Sequence, residues 1–500
     1  MSVLKRLQFI SQVLTPRHIA LSDAAVDVTY DQLIHRVKNV ALWLKGHGAQ
    51  VVALHGFNGI DWVVIDLACQ ELGVVCVPLP TFFSGDQIRG CLRQAGVDFV
   101  LSHQPDAGEG IFSDLGPEAL EQCGSFHAWR IPNPAVSRLP EGTQKITFTS
   151  GSTGQPKGVC LSTEQQWRVA QSLADAVEIQ CPRHVCLLPL STLLENIAGV
   201  YSPLLSGGHI VLPSDQTRGM SGSSGLDTRA FLACLDEIQP QTMILIPQLL
   251  SVLVAARRSG WHPPGSLQFV AVGGGKVSPY LIALAHDCGL PVYQGYGLSE
   301  CGSVVALNTP EQSQLESVGK VLPHCEVTIE DGEIVVSGAV HLGYLGDEAH
   351  WYPEKIHTGD IGSLNGDYLS ISGRKKNLLI SSFGRNINPE WVESELMSRP
   401  CLSQCMVFGD GQPFLSALVC APAQIRDEGI EHFIGKVNKR LPDYARVHRL
   451  LRVDESDLTP CTTANGRLRR DQVAEQFFEA IQAIYSSSTV SGEPLERMNQ

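Results

Sequence analysis

A loop rich in glycine and hydroxyl residues gives the strongest local sign of chemistry. It follows a strand-length apolar segment and reads Thr149-Ser150-Gly151-Ser152-Thr153-Gly154-Gln155-Pro156-Lys157-Gly158. Glycines let backbone N–H groups converge on phosphate oxygens, the hydroxyls add donors, and Lys157 adds a positive charge. The spacing G-x-x-G-x-x-K-G differs from the Walker A pattern, in which Ser or Thr follows the lysine. The composition favours a polyphosphate ligand, and a flexible surface loop is the alternative.

Three further segments follow this loop along the chain. They are Tyr296-Gly297-Leu298-Ser299-Glu300, His357-Thr358-Gly359-Asp360, and Gly373-Arg374-Lys375-Lys376 followed by Gly384-Arg385-Asn386-Ile387-Asn388-Pro389-Glu390. In this order, the four segments resemble the motifs of the adenylate-forming superfamily, which includes acyl-CoA synthetases, luciferases and adenylation domains of peptide synthetases. The resemblance covers residues 20–475 and is greatest to long-chain fatty acyl-CoA synthetases. It implies that ATP and Mg²⁺ serve to activate a carboxylic acid.

Each of these segments supplies a group that such a reaction needs. Glu300 is expected to hold Mg²⁺ directly or through water, because carboxylate oxygens suit that ion. Asp360 can accept both ribose hydroxyls, and Arg374 can donate to the ribose and phosphate side. The resemblance implies that Tyr296 and the turn Gly273-Gly274-Gly275 enclose adenine. Surface or turn roles are the alternatives for these residues, and a plain strand-to-helix turn is the alternative for the glycines.

The resemblance also implies a reaction in two steps. The carboxylate attacks the α-phosphate to give acyl-AMP and pyrophosphate, and a thiol then attacks the acyl carbon and expels AMP. In the superfamily a small C-terminal domain rotates between the steps about a hinge, which matches Lys376 here. Gly384 then borders the tunnel for the thiol, for which coenzyme A is the expected co-substrate.

One position departs from the superfamily pattern. The C-terminal motif N-G-K-x-x-R appears here as Asn465-Gly466-Arg467-Leu468-Arg469-Arg470, so that Arg467 stands where a lysine bridges the substrate carboxylate and the α-phosphate. A planar guanidinium differs from a compact ammonium at a crowded site. Three interpretations stay open: Arg467 substitutes for the lysine, the enzyme adenylates slowly, or it uses a pre-formed acyl-adenylate or another activated acid.

The acyl side is less informative. Thr192 lies where many fatty acyl enzymes carry a histidine, and residues 187–194 contain no aspartate that could pair with the ammonium of an amino acid. Gly297 is expected to leave space where acetate enzymes place tryptophan, which favours a medium- or long-chain fatty acid. Transfer to a carrier-protein phosphopantetheine and formation of a β-lactone are alternatives. A catalytically impaired acyl-adenylate-binding protein is the alternative from another class.

The elements that must position these residues alternate between strand-length and helix-length segments from residue 145 to residue 288, which predicts an α/β fold with a parallel sheet. One of the expected strands covers residues 185–190, and a helix near the end of the chain is expected over residues 469–485. Asp331-Gly332 and Asn365-Gly366 predict hairpins in a small β-rich subdomain over residues 318–373. We predict a large N-terminal domain of two α/β subdomains plus this β-rich unit (1–375), a small mobile α+β C-terminal domain (376–485) and a flexible tail (486–500).

Composition limits the remaining function classes. The chain has 500 residues, with 51 Asp and Glu against 37 Lys and Arg, for a net charge of −14. This acidic excess disfavours nucleic acid and anionic lipid as partners. The fifteen Cys form no CxxC pair, which favours reduced thiols and disfavours metal binding. No secretory signal or membrane-spanning stretch is apparent, so that we expect a cytoplasmic protein.

Overall fold

A computed structural model describes residues 1–150, 156–221, 225–463 and 466–486. The fold is mixed α/β, as expected, with two large sheets and a smaller C-terminal region. The predicted flexible tail lies outside the described residues apart from residue 486. Within the described part of the chain, no helix combines the length and the apolar character needed to cross a membrane. All fifteen cysteines are free thiols, and most of them are buried.

The first large sheet has eight strands with a parallel centre. In spatial order they are Gly343–Tyr344, Pro156–Leu161, Lys145–Ser150, Val75–Leu79, Val51–His55, Phe99–Ser102, Phe126–Arg130 and Glu118–Cys123. The middle strands are nearly continuous runs of buried apolar residues, which is typical of strands covered on both faces. Strands Lys145–Ser150 and Pro156–Leu161 are antiparallel, and they flank the glycine-rich loop.

The second sheet has thirteen strands, of which six form a parallel block. In spatial order they are Cys325–Glu330, Glu333–Gly338, Lys355–Asn365, Tyr368–Arg374, Lys320–Val321, Ala306–Leu307, Val292–Tyr296, Phe269–Val272, Thr242–Leu245, Arg183–Val185, His209–Val211, Ile19–Ser22 and Asp27–Thr29. Both expected hairpins are present. Their strands continue the α/β sheet through Ala306–Leu307, which gives the edge strand Val292–Tyr296 a partner.

Helices cover the sheets. Their bounds are Val3–Val13, Tyr30–Gly46, Ile60–Leu72, Gly85–Ala95, Thr163–Val177, Glu195–Tyr201 (a π-helix), Ser202–Leu205, Thr228–Ile238, Pro247–Arg258, Pro279–Asp287, Pro389–Leu396, Asp427–Asn438, Glu455–Leu458, Arg470–Gln476 and Phe478–Ser486. The largest apolar cluster combines residues of both sheets with the fully buried Trp62 and Trp167. Helices Ile60–Leu72 and Thr163–Val177 therefore belong to a core that both sheets share.

The C-terminal region has its own sheet and core. Strands Gln404–Phe408, Leu415–Cys420 and Val447–Arg452 form the sheet, and a separate apolar cluster packs against it. The short strands Leu379–Ile380 and Asn386–Ile387 precede it. The boundary predicted after residue 375 falls within the 3₁₀ turn Lys375–Asn377, and the domain limits themselves stay a prediction.

Two predicted elements are shorter than the sequence pattern indicated. The strand expected over residues 185–190 ends at Val185, and from Leu187 onward side chains are the partners of the backbone groups. The amide of Leu188 donates to Glu195, and Arg218 donates to the carbonyls of Leu187 and Leu188. The helix expected over residues 469–485 is interrupted at Phe477.

Candidate functional site

A buried carboxylate lies at the centre of one cluster of the predicted site residues. Asp360 is only 4% exposed, and its two oxygens accept hydrogen bonds from the Tyr296 hydroxyl (2.7 Å) and from Nε of Arg374 (2.8 Å). Asp360 and Arg374 are directly opposite each other on neighbouring strands. Burial, and secondarily the Asp360 charge, raise the pKa of Tyr296, so that its hydroxyl stays a donor. These three predicted residues are thus brought together.

The glycine turn after strand Phe269–Val272 adjoins this cluster. Gly274 has a φ of +76°, which glycine adopts without strain. The guanidinium of Arg467 donates a hydrogen bond to the Gly274 carbonyl, so that the C-terminal region reaches the turn. Desolvation, followed by the like charge of Arg374, lowers the pKa of Arg467. Arg467, Arg374 and the glycine turn therefore share one surface.

Arg467 and Gly466 form hydrogen bonds to other residues of the C-terminal region. The backbone N–H of Arg467 donates to the hydroxyl of Thr463 (2.9 Å), and its carbonyl accepts from the Thr463 N–H (2.6 Å). Gly466 has a φ of +78°, and its carbonyl accepts from the Gln404 side chain (3.1 Å). These contacts hold Arg467 beside Thr463. Asn465 of the same motif lies outside the described residues.

A second cluster contains the predicted phosphate lysine and metal carboxylate. Thr149 and Lys157 are register partners on the strands that flank the glycine-rich loop, and Thr149 Oγ1 lies 3.4 Å from the Lys157 carbonyl. The Lys157 ammonium lies 3.3 Å from the ring centroid of Tyr344, and the Tyr344 hydroxyl donates to Glu300 Oε1 (2.8 Å). Ser150 ends the first strand, and the predicted Gly151, Ser152, Thr153 and Gly154 lie outside the described residues.

The donor set of this second cluster fits a magnesium nucleotide. A half-buried carboxylate such as Glu300 offers the hard oxygen ligand that Mg²⁺ takes, and the ion usually completes its shell with phosphate oxygens and water. Lys157 adds a positive charge on the phosphate side. Tyr344 was not identified from the sequence, although the dipeptide Gly343-Tyr344 belongs to the strand that pairs with Pro156–Leu161.

The expectation of space beside Gly297 was wrong for this conformation. A Cβ atom on Gly297 would meet the backbone carbonyl of Ser303 at 1.5 Å and the Cα of Val304 at 2.7 Å. The predicted Ser299 begins a 3₁₀ turn that returns the chain to this place, and Ser303 has a φ of +103°. The main chain therefore fills the volume, so the glycine at 297 does not indicate the length of the acyl group.

The two remaining predicted residues lie in the C-terminal region. Lys376 is exposed on the 3₁₀ turn that follows Arg374. Gly384 is exposed in a turn with a φ of +72°, and its N–H donates to the Ser381 carbonyl (2.8 Å). The neighbouring Phe383 is 77% exposed. A hinge at Lys376 and a thiol tunnel beside Gly384 stay predictions.

Thr192, which lies at the position of the histidine in many fatty acyl enzymes, stabilises a turn, because its hydroxyl donates to the Pro189 carbonyl (2.6 Å). Close by, His184, Cys186 and Glu195 bring potential metal-ligand atoms within 4.8 Å of one another. His184 contacts the Thr242 hydroxyl (2.9 Å) and Glu195 (3.2 Å), and the other Glu195 oxygen accepts from Leu188 N–H (3.1 Å). These hydrogen bonds identify the cluster as an anchor for the π-helix Glu195–Tyr201.

Comparison with known proteins gives matches over nearly the whole chain. The family described as AMP-binding enzyme matches residues 11–345, and the AMP-binding enzyme C-terminal domain matches residues 376–489. A long-chain-fatty-acid–CoA ligase of Mycobacterium bovis is 24% identical over an alignment of 559 positions, gaps included, that covers 92% of each chain. An indoleacetate–CoA ligase of Aromatoleum aromaticum is 28% identical, covering 92% of this chain and 96% of the relative.

A solved structure is similar in fold as well as in sequence. It is the O-succinylbenzoate coenzyme A synthetase of Bacillus subtilis in complex with ATP and magnesium ion. The TM-score is 0.73 at 25% identity, and the match covers 93% of this chain and 98% of the other. The two-part architecture described above is therefore that of a known fold.

Proposed function

The chain belongs to the AMP-binding enzyme family and is a ligase of the acyl-CoA synthetase type, and we propose that it activates a medium- or long-chain fatty acid. In this proposal ATP and the acid form acyl-AMP, and coenzyme A then receives the acyl group. The observation that carries the proposal is the Asp360 cluster, in which a buried carboxylate accepts hydrogen bonds from Tyr296 and from the half-exposed Arg374. That arrangement suits the two vicinal hydroxyls of a ribose.

The chemistry places two anions in contact, so positive charge must be supplied. An oxygen of the acid attacks the α-phosphorus, and the bond to pyrophosphate breaks. Lys157 and Arg467 approach from the two parts of the chain and lower the repulsion between the anions. Mg²⁺ bound near Glu300 would neutralise charge on the phosphates. In the second step the thiol, once deprotonated, attacks the acyl carbon, and the acyl–oxygen bond breaks to release AMP.

The substrate class rests on the relatives and on the motifs around Gly384. The Mycobacterium bovis relative is named for long-chain fatty acids, and it aligns over 92% of this chain. An aryl acid is the second candidate, because the relative named for indoleacetate has the higher identity, 28%. A carrier-protein phosphopantetheine is the alternative acceptor to coenzyme A.

The test is acid-dependent exchange of labelled pyrophosphate into ATP, measured across fatty and aryl acids. We expect exchange with fatty acids, and we expect Arg467→Ala to slow it about 100-fold, the scale of removing one charge-stabilising donor. Arg467→Lys introduces the compact ammonium that the superfamily motif carries at this position, and this variant should retain exchange. Arg426→Ala, at an exposed position before helix Asp427–Asn438, is the control and should leave the rate unchanged.

Two outcomes contradict parts of the proposal. Exchange with aryl acids alone would move the substrate class to the second candidate. No exchange with any acid in the native chain, together with exchange in Arg467→Lys, would mean that Arg467 prevents adenylation. The role of the chain would then be binding of an adenylate or the second step alone. Assays with coenzyme A and with a carrier protein then identify the acceptor.

A further inference from the structure

Tyr344 contacts both charged residues of the second cluster, Lys157 and Glu300. Its ring lies 3.3 Å from the Lys157 ammonium, and its hydroxyl lies 2.8 Å from Glu300 Oε1. Lys157 and Glu300 are 143 positions apart in the sequence, and they belong to different sheets or their connections. Tyr344 is thus the side chain through which the two groups are joined.

The backbone holds Tyr344 firmly in this place. Strand Gly343–Tyr344 pairs with Pro156–Leu161, in which Tyr344 is opposite Val159. Lys157 therefore occupies the diagonal position on the same face, within reach of an aromatic ring. The carbonyl of Tyr344 accepts from the Trp351 indole (2.9 Å), and the N–H of Leu345 donates to the Gly158 carbonyl (2.9 Å).

The backbone of Glu300 is also hydrogen-bonded to the segment that contains Tyr344. The carbonyl of Glu300 accepts from the His341 N–H (2.6 Å), so that the segment containing Tyr344 is bonded directly to the residue it orients. The His341 ring lies edge-on to Tyr344 with centroids 4.8 Å apart.

We propose that Tyr344 is a positioning residue that presents the Lys157 ammonium and the Glu300 carboxylate to the magnesium nucleotide in one arrangement. The inference rests on the proposed function of this site. The ring touches one side of the ammonium and leaves N–H donors for phosphate. The hydroxyl restricts the carboxylate to one orientation, as outer hydrogen-bond partners of metal ligands do.

Two substitutions separate the two contacts. Tyr344→Phe keeps the ring beside Lys157 and removes the hydrogen bond to Glu300. We expect it to raise the Mg²⁺ concentration for half-maximal pyrophosphate exchange about tenfold, the low end for loss of such a partner. Binding of ATP without Mg²⁺, measured by calorimetry in EDTA, should stay unchanged. Tyr344→Leu removes both contacts, so that binding of ATP in EDTA should also weaken about fivefold.

A second tyrosine of the same segment provides the matched control. The Tyr352 hydroxyl contacts the backbone of Glu141 rather than the site. Tyr352→Phe should therefore leave both the Mg²⁺ dependence and ATP binding as in the native chain. Thermal unfolding of all three variants reports any general loss of structure.

The outcomes distinguish this inference from the proposed function. No exchange in the native chain, combined with the expected weaker binding of ATP in EDTA by Tyr344→Leu but not by Tyr344→Phe, would contradict the proposed function and support the positioning role of Tyr344. Native exchange with unchanged Mg²⁺ dependence in Tyr344→Phe would overturn the positioning role. The same holds if both Tyr344 variants lower the unfolding temperature but bind ATP and MgATP as the native chain does, because that result identifies Tyr344 as structural only.

Discussion

Two aspartates of this protein each form an ion pair at the same distance, yet their surroundings differ. Asp66 and Lys145 approach to 2.8 Å with both side chains 1% exposed. Asp360 and Arg374 also approach to 2.8 Å, but the arginine is 53% exposed. The first pair is closed on all sides by the protein, whereas the second has an open side. Distance alone therefore does not distinguish a pair that is closed by the protein from a pair that is accessible to a ligand, whereas exposure does.

The closed pair belongs to a network that spans the shared core. The Lys145 ammonium also donates to Asn196 Oδ1 (2.5 Å) and to the Tyr201 hydroxyl (2.7 Å), both on the π-helix. Asp66 lies on helix Ile60–Leu72, and its second oxygen accepts from Asn196 (3.0 Å) and from Tyr201. Since Lys145 begins strand Lys145–Ser150, this network joins that strand to helix Ile60–Leu72 and to the π-helix.

The largest effect on stability is expected when the closed pair loses its cation. Lys145→Ala leaves the Asp66 carboxylate buried without its cation, which should lower the free energy of unfolding by about 3–5 kcal/mol. Urea denaturation followed by tryptophan fluorescence measures this change. Lys355→Ala is the control, because its pair with Glu330 has the same 2.8 Å distance but is about half exposed, and should cost less than about 1 kcal/mol. Equal losses in the two variants would contradict the comparison.

A smaller effect, of a different kind, is expected from the open pair. Asp360→Asn keeps the shape of the side chain and removes its charge, so that the affinity for ATP should fall about 10- to 100-fold through weaker bonds to ribose. The free energy of unfolding should change by less than about 1 kcal/mol, because water can solvate the exposed Arg374. Asp367→Asn, in the exposed turn of the same hairpin, serves as control. A large loss of stability with unchanged ATP affinity would make this pair structural too.

These contrasts also show what the sequence could and could not predict. Local signals were sufficient to predict both hairpins, and Asp331-Gly332 forms the turn of the first one as expected. In the second hairpin Asn365 pairs with Tyr368, so that the turn residues are Gly366 and Asp367, one position beyond the predicted dipeptide. Motif spacing was sufficient to select Tyr296, Asp360 and Arg374, which the fold brings together. The resemblance to a known family supplied their roles, which remain to be tested.

Contacts that depend on distant segments could not be predicted in this way. Tyr344 meets Lys157 only because two strands far apart in sequence become neighbours. The closed pair of Lys145 and Asp66 joins a strand to a helix that is distant in the sequence, and no spacing rule connects them. The filling of space at Gly297 depends on a backbone conformation at Ser303 that serine rarely adopts.

The smallest of the three effects is a dependence of the free energy of unfolding on pH, and it arises from a histidine that is closed off from solvent like the first ion pair. His55 is 3% exposed on a central strand, its Nδ1 contacts the Ser102 hydroxyl (3.0 Å), and burial, aided by His103, lowers its pKa to about 4. An unfolded histidine has a pKa of about 6.5, so between these values the unfolded chain binds a proton that the folded chain does not. Stability from this group is therefore complete above about pH 6.5 and is lost as the pH falls toward 4.

At pH 5 the loss of stability from His55 relative to pH 7 is about 2 kcal/mol. Urea denaturation at both pH values should show a difference that is about 2 kcal/mol smaller in His55→Gln than in the native chain. The difference does not vanish, because burial also lowers the pKa of His209 and His324 to about 4, whereas His35→Gln, at an exposed position, should retain the full native difference. If His55→Gln keeps the native pH dependence, the acid sensitivity of the core arises from other groups.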